Sequence, residues 1–234
     1  MSQATVASSV PHPGTLNVMM QLMKLRVIVL LQITALCAIL VHDSLARHGL
    51  LDVERTWEQT LWVSLITVVG GTLSAGGSNA INMWYDADID PHMRRTMNRP
   101  VPLGHATPQF ALLFGSIIAV LGCSLFLLVS VKAAFWSAFS VLFYVLVYSM
   151  WLKRRTPQNI VIGGLAGSTP PLIGWAATAG DSIASTNVFD LGSPIPWMLF
   201  FLIFLWTPPH FWALALYRSG EYGKVNVPML NEVK

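Results

Sequence analysis

Six stretches of this sequence contain no Asp, Glu, Lys or Arg: residues 27–42, 59–85, 100–131, 133–152, 156–180 and 191–217. A helix crosses the hydrocarbon core of a bilayer with about 20 mostly apolar residues, so most of these runs are long enough to span. In lipid the backbone has no water to bond, which leaves helices as the form that runs of this length can take. Only 11% of residues are charged and 54% are hydrophobic, against roughly 25% charged in an ordinary soluble domain. The expected fold is all-α, a polytopic transmembrane helical bundle of about six spans embedded in the lipid bilayer.

Charge placement orients the bundle. With the N-terminus inside, Lys24, Arg26, Arg94, Arg95, Arg99, Lys153, Arg154, Arg155, Arg218, Lys224 and Lys234 fall on the cytoplasmic side, and Arg47, Arg55 and Lys132 fall outside. That asymmetry follows the positive-inside rule. The net charge of +3 therefore reports topology, and no nucleic-acid partner is expected, because the basic residues lie in short loops and form no basic face. The polar N-terminal tail, 1–15, has neither the order of a cleavable signal nor the arginines of a transit peptide. A bacterial inner (plasma) membrane is the simplest location. The two cysteines, Cys37 and Cys123, sit inside apolar runs and read as small core residues.

The first run is the weakest span, closed by His42 and Asp43. Pro170-Pro171 and Pro208-Pro209 remove backbone donors inside the fifth and sixth runs, as kinks or as turns facing protein or water. Gly163, Gly164, Gly167 and Gly174 give the fifth run a small-residue surface for close helix approach.

The second run ends in the densest polar segment, Asn82 to Pro100. On a continuing helix, residues four apart advance by only ~40°, so Asn82, Asp86 and Asp90 line one stripe, with Asp88 about 160° away from Asp90. Hard oxygen donors without a nearby Cys or His pair suit magnesium (Mg2+), which is commonly shared between one or two carboxylates and substrate phosphates. Arg94, Arg95 and Arg99 follow at once, as bridging cations for a diphosphate or as salt-bridge partners of a solvated loop. Lys153-Arg154-Arg155 ends the fourth run on the same face, either as a clamp on the diphosphate or as a topological anchor. Tyr148, just before it, is either a phosphate contact or an interfacial belt residue. His210, within Trp206-Thr-Pro-Pro-His210-Phe211-Trp212, is an intramembrane imidazole and so a candidate porphyrin contact, proton acceptor or hydrogen-bond strut.

These motifs resemble the UbiA-type intramembrane prenyltransferases, whose Asn-x-x-x-Asp-x-x-x-Asp signature is matched by Asn82, Asp86 and Asp90. Finer strings resemble the heme-modifying branch: Asp86-Ala-Asp88-Ile-Asp90, Arg95-Thr96 with Arg99-Pro100, Leu152 to Asn159, Pro170-Pro171 with Gly174-Trp175, and Trp206 to Trp212. The resemblance implies an enzyme with a Mg2+ cofactor that transfers a farnesyl group from farnesyl diphosphate to a vinyl carbon of protoheme IX. The product is heme O, with a heme A synthase as possible downstream partner. It implies catalytic roles for Asp86, Asp90, Arg95 and Arg99, metal ligation by Asn82, Asp86 and Asp90, and substrate binding by Lys153, Arg154, Tyr148, His210 and Glu221. Prenyl transfer to another aromatic acceptor, such as a quinone precursor, and a non-enzymatic heme carrier using His210 are the alternatives. The resemblance also implies a single membrane domain over 1–234, with about six helices of a family bundle of about nine and the C-terminal ones missing. Two departures stand out: Lys24-Leu25-Arg26 replaces a Lys-Pro-Arg string, and Glu221-Tyr222 stands where Asp-Tyr is common.

Overall fold

A computed structural model describes residues 13–179, 185–217 and 227–228. The described residues form helices α1 (Thr15–Met23), α2 (Leu25–Arg47), α3 (Trp57–Tyr85), α4 (Pro108–Leu125), α5 (Val131–Leu142), α6 (Asn159–Ser168), α7 (Pro170–Ala179) and α8 (Ile195–Tyr217). Six helical stretches are long and apolar enough to cross a membrane: Leu25–Arg47, Trp57–Tyr85, Pro108–Leu128, Val131–Leu152, Asn159–Ala179 and Ile195–Ala213. Their outer faces carry exposed Leu61, Leu65, Val69, Leu113, Ile117, Val120 and Leu202, the surface a lipid-facing bundle requires.

Local sequence sets the helix starts. Thr56 and Gln59 form a reciprocal capping box at α3, with Gln59 N–H donating to Thr56 Oγ1 at 3.2 Å and Thr56 N–H to Gln59 Oε1 at 3.0 Å. Thr107 caps α4 ahead of Pro108, whose missing N–H costs nothing in the first turn, and Ser130 caps α5. Lys24 separates α1 from α2 by adopting the left-handed conformation, φ 57° and ψ 53°. Thr169 breaks the fifth span in two, with Pro170 opening α7, whereas Pro208 and Pro209 stay inside α8. The fourth span continues from α5 as a π-helix, Phe143–Leu152.

The most extensive helix pairing among the described residues is α3 against α4, built on glycines seven residues apart on each helix. A β-carbon at Gly77 would lie 2.4 Å from the Gly115 carbonyl oxygen, and one at Gly122 would lie 2.6 Å from that of Gly70. Backbone therefore meets backbone along this seam, as small residues permit in membranes. Gly174 repeats the arrangement between α7 and α2, where a β-carbon would sit 2.3 Å from the Ala35 carbonyl oxygen.

Two apolar clusters fill the interior. The larger joins Ile39, Val63, Phe126, Trp136, Leu172, Trp175 and Phe200. The smaller packs Val18 and Leu22 of α1 against Ala80, Met83, Ala106 and Ala111, and so seats α1 beneath the polar segment that follows α3. Some sequence expectations are corrected. Cys37 is exposed rather than in the core, because α2 turns it to the outer face, and Cys123 is half-buried. His42 and Asp43 do not close the first span; they are buried within α2. The third span begins at Pro108, since residues 100–106 fold into turns.

Candidate active site

The helix does not continue through the acidic segment as the sequence suggested: α3 ends at Tyr85 with Asp86 as its cap. The four-residue backbone rhythm nevertheless persists, with Asp86 N–H donating to the Asn82 carbonyl at 3.0 Å and Asp90 N–H to the Asp86 carbonyl at 2.9 Å. Pro91 then opens a 3-10 turn, Asp90–His92. Asn82, Asp86 and Asp90 are buried at 4%, 0% and 1% exposure. The Asp88 side chain, by contrast, is 61% exposed, in keeping with its position off the stripe.

Burying two carboxylates at the negative end of a 29-residue helix is electrostatically unfavourable unless cations gather there. They do so from three elements. Lys153 Nζ, at the end of the π-helix, donates to Asp86 Oδ2. Arg99 Nη1 reaches both oxygens of Asp90, at 2.9 and 2.7 Å. Thr96, itself buried, donates from Oγ1 to the Asp90 carbonyl at 2.9 Å and shapes the turn that brings Arg99 back. Arg154 forms a two-pronged pair with Asp88, both contacts 2.7 Å, and also donates to the Tyr85 carbonyl at 3.0 Å, capping α3. Asp88 holds the Arg154 guanidinium above its usual range, while Arg154 holds the Asp88 carboxyl below its own.

The third source was missed in the sequence. Lys24 reads there only as a marker of the inside face, yet its Nζ donates to Asn82 Oδ1 at 3.4 Å. Its place depends on the left-handed turn between α1 and α2, which Asn79 secures by donating from Nδ2 to the Met23 carbonyl at 2.9 Å. Burial, then the nearby Arg99, Lys153 and Arg95, push the Lys24 ammonium well below its ordinary range. Burial also lowers Lys153, against the pull of Asp86. A lysine that loses charge affinity among crowded cations is one that an incoming polyanion would stabilise. Lys24 has a local signal in its Lys-x-Arg string, but only the turn reveals its use.

Tyr148 stacks on Tyr144 with ring centroids 5.4 Å apart and fills the space left by Gly163, where a β-carbon would lie 2.2 Å from Tyr148 Cδ2. Tyr144, not singled out in the sequence, interacts electrostatically with Asp86, Asp90, Arg95 and Arg99. Arg95 itself is exposed at the rim. His210 lies exposed on α8, stacked on Trp206 at 4.3 Å and edge-on to Phe211. Glu221 lies outside the described residues.

Among the described residues, no three His, Cys, Asp or Glu side chains gather closely enough to hold a metal alone. One orphan atom supports a shared site: Asp86 Oδ1 is buried with no hydrogen-bond partner, and the nearest guanidinium nitrogen, Arg154 Nη2, stays 3.7 Å away. A buried carboxylate oxygen without a hydrogen-bond partner is costly, and a divalent cation completed by phosphate oxygens would satisfy it. Asn82 Oδ1, Asp86 and Asp90 are oxygen donors of the kind such an ion takes, and of these Asp86 Oδ1 is the one without a hydrogen-bond partner.

Comparison with known proteins identifies the family. Protoheme IX farnesyltransferase of Parvibaculum lavamentivorans is 49% identical over 218 residues, covering 93% of this chain and 61% of the relative. The protein of the same name from Symbiobacterium thermophilum is 51% identical over 174 residues, 74% of this chain and 55% of the relative. That of Synechocystis sp. is 46% identical over 211 residues, 90% and 60% respectively. This chain thus spans little more than half the length of the curated relatives it matches. A solved structure from work on digeranylgeranylglyceryl phosphate synthase in membranes superposes with a TM-score of 0.67 at 19% identity, over 92% of this chain and 67% of that one, a likeness of fold. The family model for UbiA prenyltransferases matches residues 35–233, a region that includes the α3 terminus with Arg99, Lys153 and Arg154 but not Lys24, and this multi-pass membrane chain belongs to the UbiA prenyltransferase family.

Proposed function

We propose that the chain carries the diphosphate end of a site that transfers a farnesyl group from farnesyl diphosphate to a vinyl carbon of protoheme IX, giving heme O. The observation that carries this reading is the bare, buried Asp86 Oδ1 amid Lys24, Lys153, Arg99 and Arg154. The relatives' shared name supports the choice of donor and acceptor. Asn82, Asp86 and Asp90 would hold magnesium, which supplies positive charge to offset that of the diphosphate.

The residues' own contribution is electrostatic. As the carbon–oxygen bond breaks, the diphosphate leaves with the electron pair, and Lys24, Lys153, Arg95, Arg99 and Arg154 stabilise the growing negative charge. Lys153 and Arg99 meanwhile keep Asp86 and Asp90 compensated when no diphosphate is bound. The vinyl group captures the farnesyl cation, and water completes the hydroxyethyl product. The apolar interior and the Tyr144–Tyr148 stack exclude water until capture is complete. The excess of bases at this end supports a cytoplasmic site in a bacterial inner membrane, with a heme A synthase as consumer of the product.

The test is farnesyl transfer to protoheme in membranes, with magnesium and after chelation. It compares this chain with a version extended to the length of its relatives. Magnesium-dependent heme O formation in either form supports the proposal; a quinone-precursor acceptor used in preference to protoheme overturns the acceptor.

A further inference from the structure

Asn82 differs from the two aspartates in one respect that matters for a metal. A carboxylate offers oxygen on either side, whereas a primary amide offers one oxygen and one NH2 group, interchanged by a half turn. Its neighbours must therefore decide which atom faces the cations. Asn82 Nδ2 donates to Ser149 Oγ at 3.1 Å, and Ser149 Oγ donates in turn to the Tyr144 carbonyl at 2.9 Å. A serine hydroxyl has a single proton. With that proton spent on Tyr144, Ser149 can only accept from Asn82. On the other side Lys24, which can only donate, meets Asn82 Oδ1. A reversed amide would set oxygen against an oxygen with no proton to give, and NH2 against an ammonium, inside a buried site.

We infer that Ser149 is a positioning residue that holds the Asn82 amide with its oxygen toward the metal and diphosphate. This inference rests on the function proposed above. Ser149 is 1% exposed and reaches the carbonyl five residues back. In an ordinary α-helix a serine hydroxyl bonds three or four residues back, so the contact belongs to the π-helix, Phe143–Leu152. The backbone at the next residue of the site follows the same pattern, with Lys153 N–H donating to the Tyr148 carbonyl at 2.9 Å. Widened turns of this kind are frequent at functional sites. Here one widening delivers both the serine that orients Asn82 and the lysine that meets Asp86.

The experiment uses the full chain purified in detergent, with Mn2+ in the presence of inorganic diphosphate as the probe and electron paramagnetic resonance as the readout. Ser149→Ala and the near-isosteric Ser149→Cys should each weaken Mn2+ binding about tenfold, the lower end of what loss of an outer partner of a metal ligand causes. Ser149→Thr, which keeps the hydroxyl, should restore it. Ser149→Cys decides the matter if Ser149→Ala does not fold. Wild-type affinity in Ser149→Cys, or Ser149→Thr as weak as Ser149→Cys, overturns the inference. Asp86→Asn separates the two readings. If it loses Mn2+ while the Ser149 variants keep it, only the positioning role fails; if it too binds as wild type, the metal site itself fails and the inference with it.

Discussion

Buried carboxylates occur at both ends of this bundle, and their surroundings are opposite. At the end where α2 meets α3, Asp43 is fully buried and saturated. It accepts from Thr60 Oγ1 at 2.5 Å and from Arg55 Nε at 2.9 Å, and pairs with His42 Nδ1 at 2.9 Å. His42 in turn meets the edge of Trp175. Arg47 donates to Thr60 and lies over the Trp57 ring, and Lys132 is spent on the Asp190 carbonyl. All three bases assigned to this side are thus occupied. At the other end Asp86 keeps one bare oxygen and several lysines and arginines crowd together. A charge network with every valence filled locks elements together; one with a valence left open is poised for a ligand.

The largest expected effect lies at the saturated end. Asp43→Asn leaves the Arg55 guanidinium without its counter-charge and removes the carboxylate that His42 and Thr60 bond, and breaking a buried network of this kind costs about 3–5 kcal/mol. Thermal unfolding in detergent should show it, and an unchanged melting temperature would remove the contrast. Asp86→Asn should do the converse, lowering farnesyl transfer by about 100-fold or more while the melting temperature stays near wild type. Turnover equal to wild type would sink the metal assignment. Gly174→Ala probes packing apart from charge: the added methyl meets the Ala35 backbone, and overpacking should cost about 1–3 kcal/mol, again read by thermal unfolding. Asp88→Ala marks the small end of the scale. Its exposed pair with Arg154 is worth at most about 1 kcal/mol, and a loss that grew with added salt would contradict that account.

The spans were legible because hydropathy averages over a whole crossing, so single misplacements cancel. The stripe of Asn82, Asp86 and Asp90 was legible because four-residue spacing survives the end of α3. What escaped depends on partners distant in the chain. Asp43 looked like the end of a span because the residues that make its burial tolerable, Arg55 in the next loop and Thr60 on α3, lie further along the chain. Cys37 looked internal because an apolar run does not say which face meets lipid. Lys24 and Ser149 were passed over for a related reason. Their roles arise from a left-handed turn and a π-helix, neither of which leaves a clear mark in residue type, and the change from Lys-Pro-Arg to Lys24-Leu25-Arg26 hinted only at an altered helix start.

The glycine seam between α3 and α4 bears on the segment those helices join. Residues 86–107 carry Asp86, Asp90 and Arg99, and both ends of that loop are fixed to helices held backbone against backbone. The entropy of closing and ordering the loop is therefore spent during folding, and little of the diphosphate's binding energy goes to organising its own receptor. Distance from the chemistry gives the seam no immunity: loosening it would surface as weaker ligand affinity, in a protein whose charged groups were all intact.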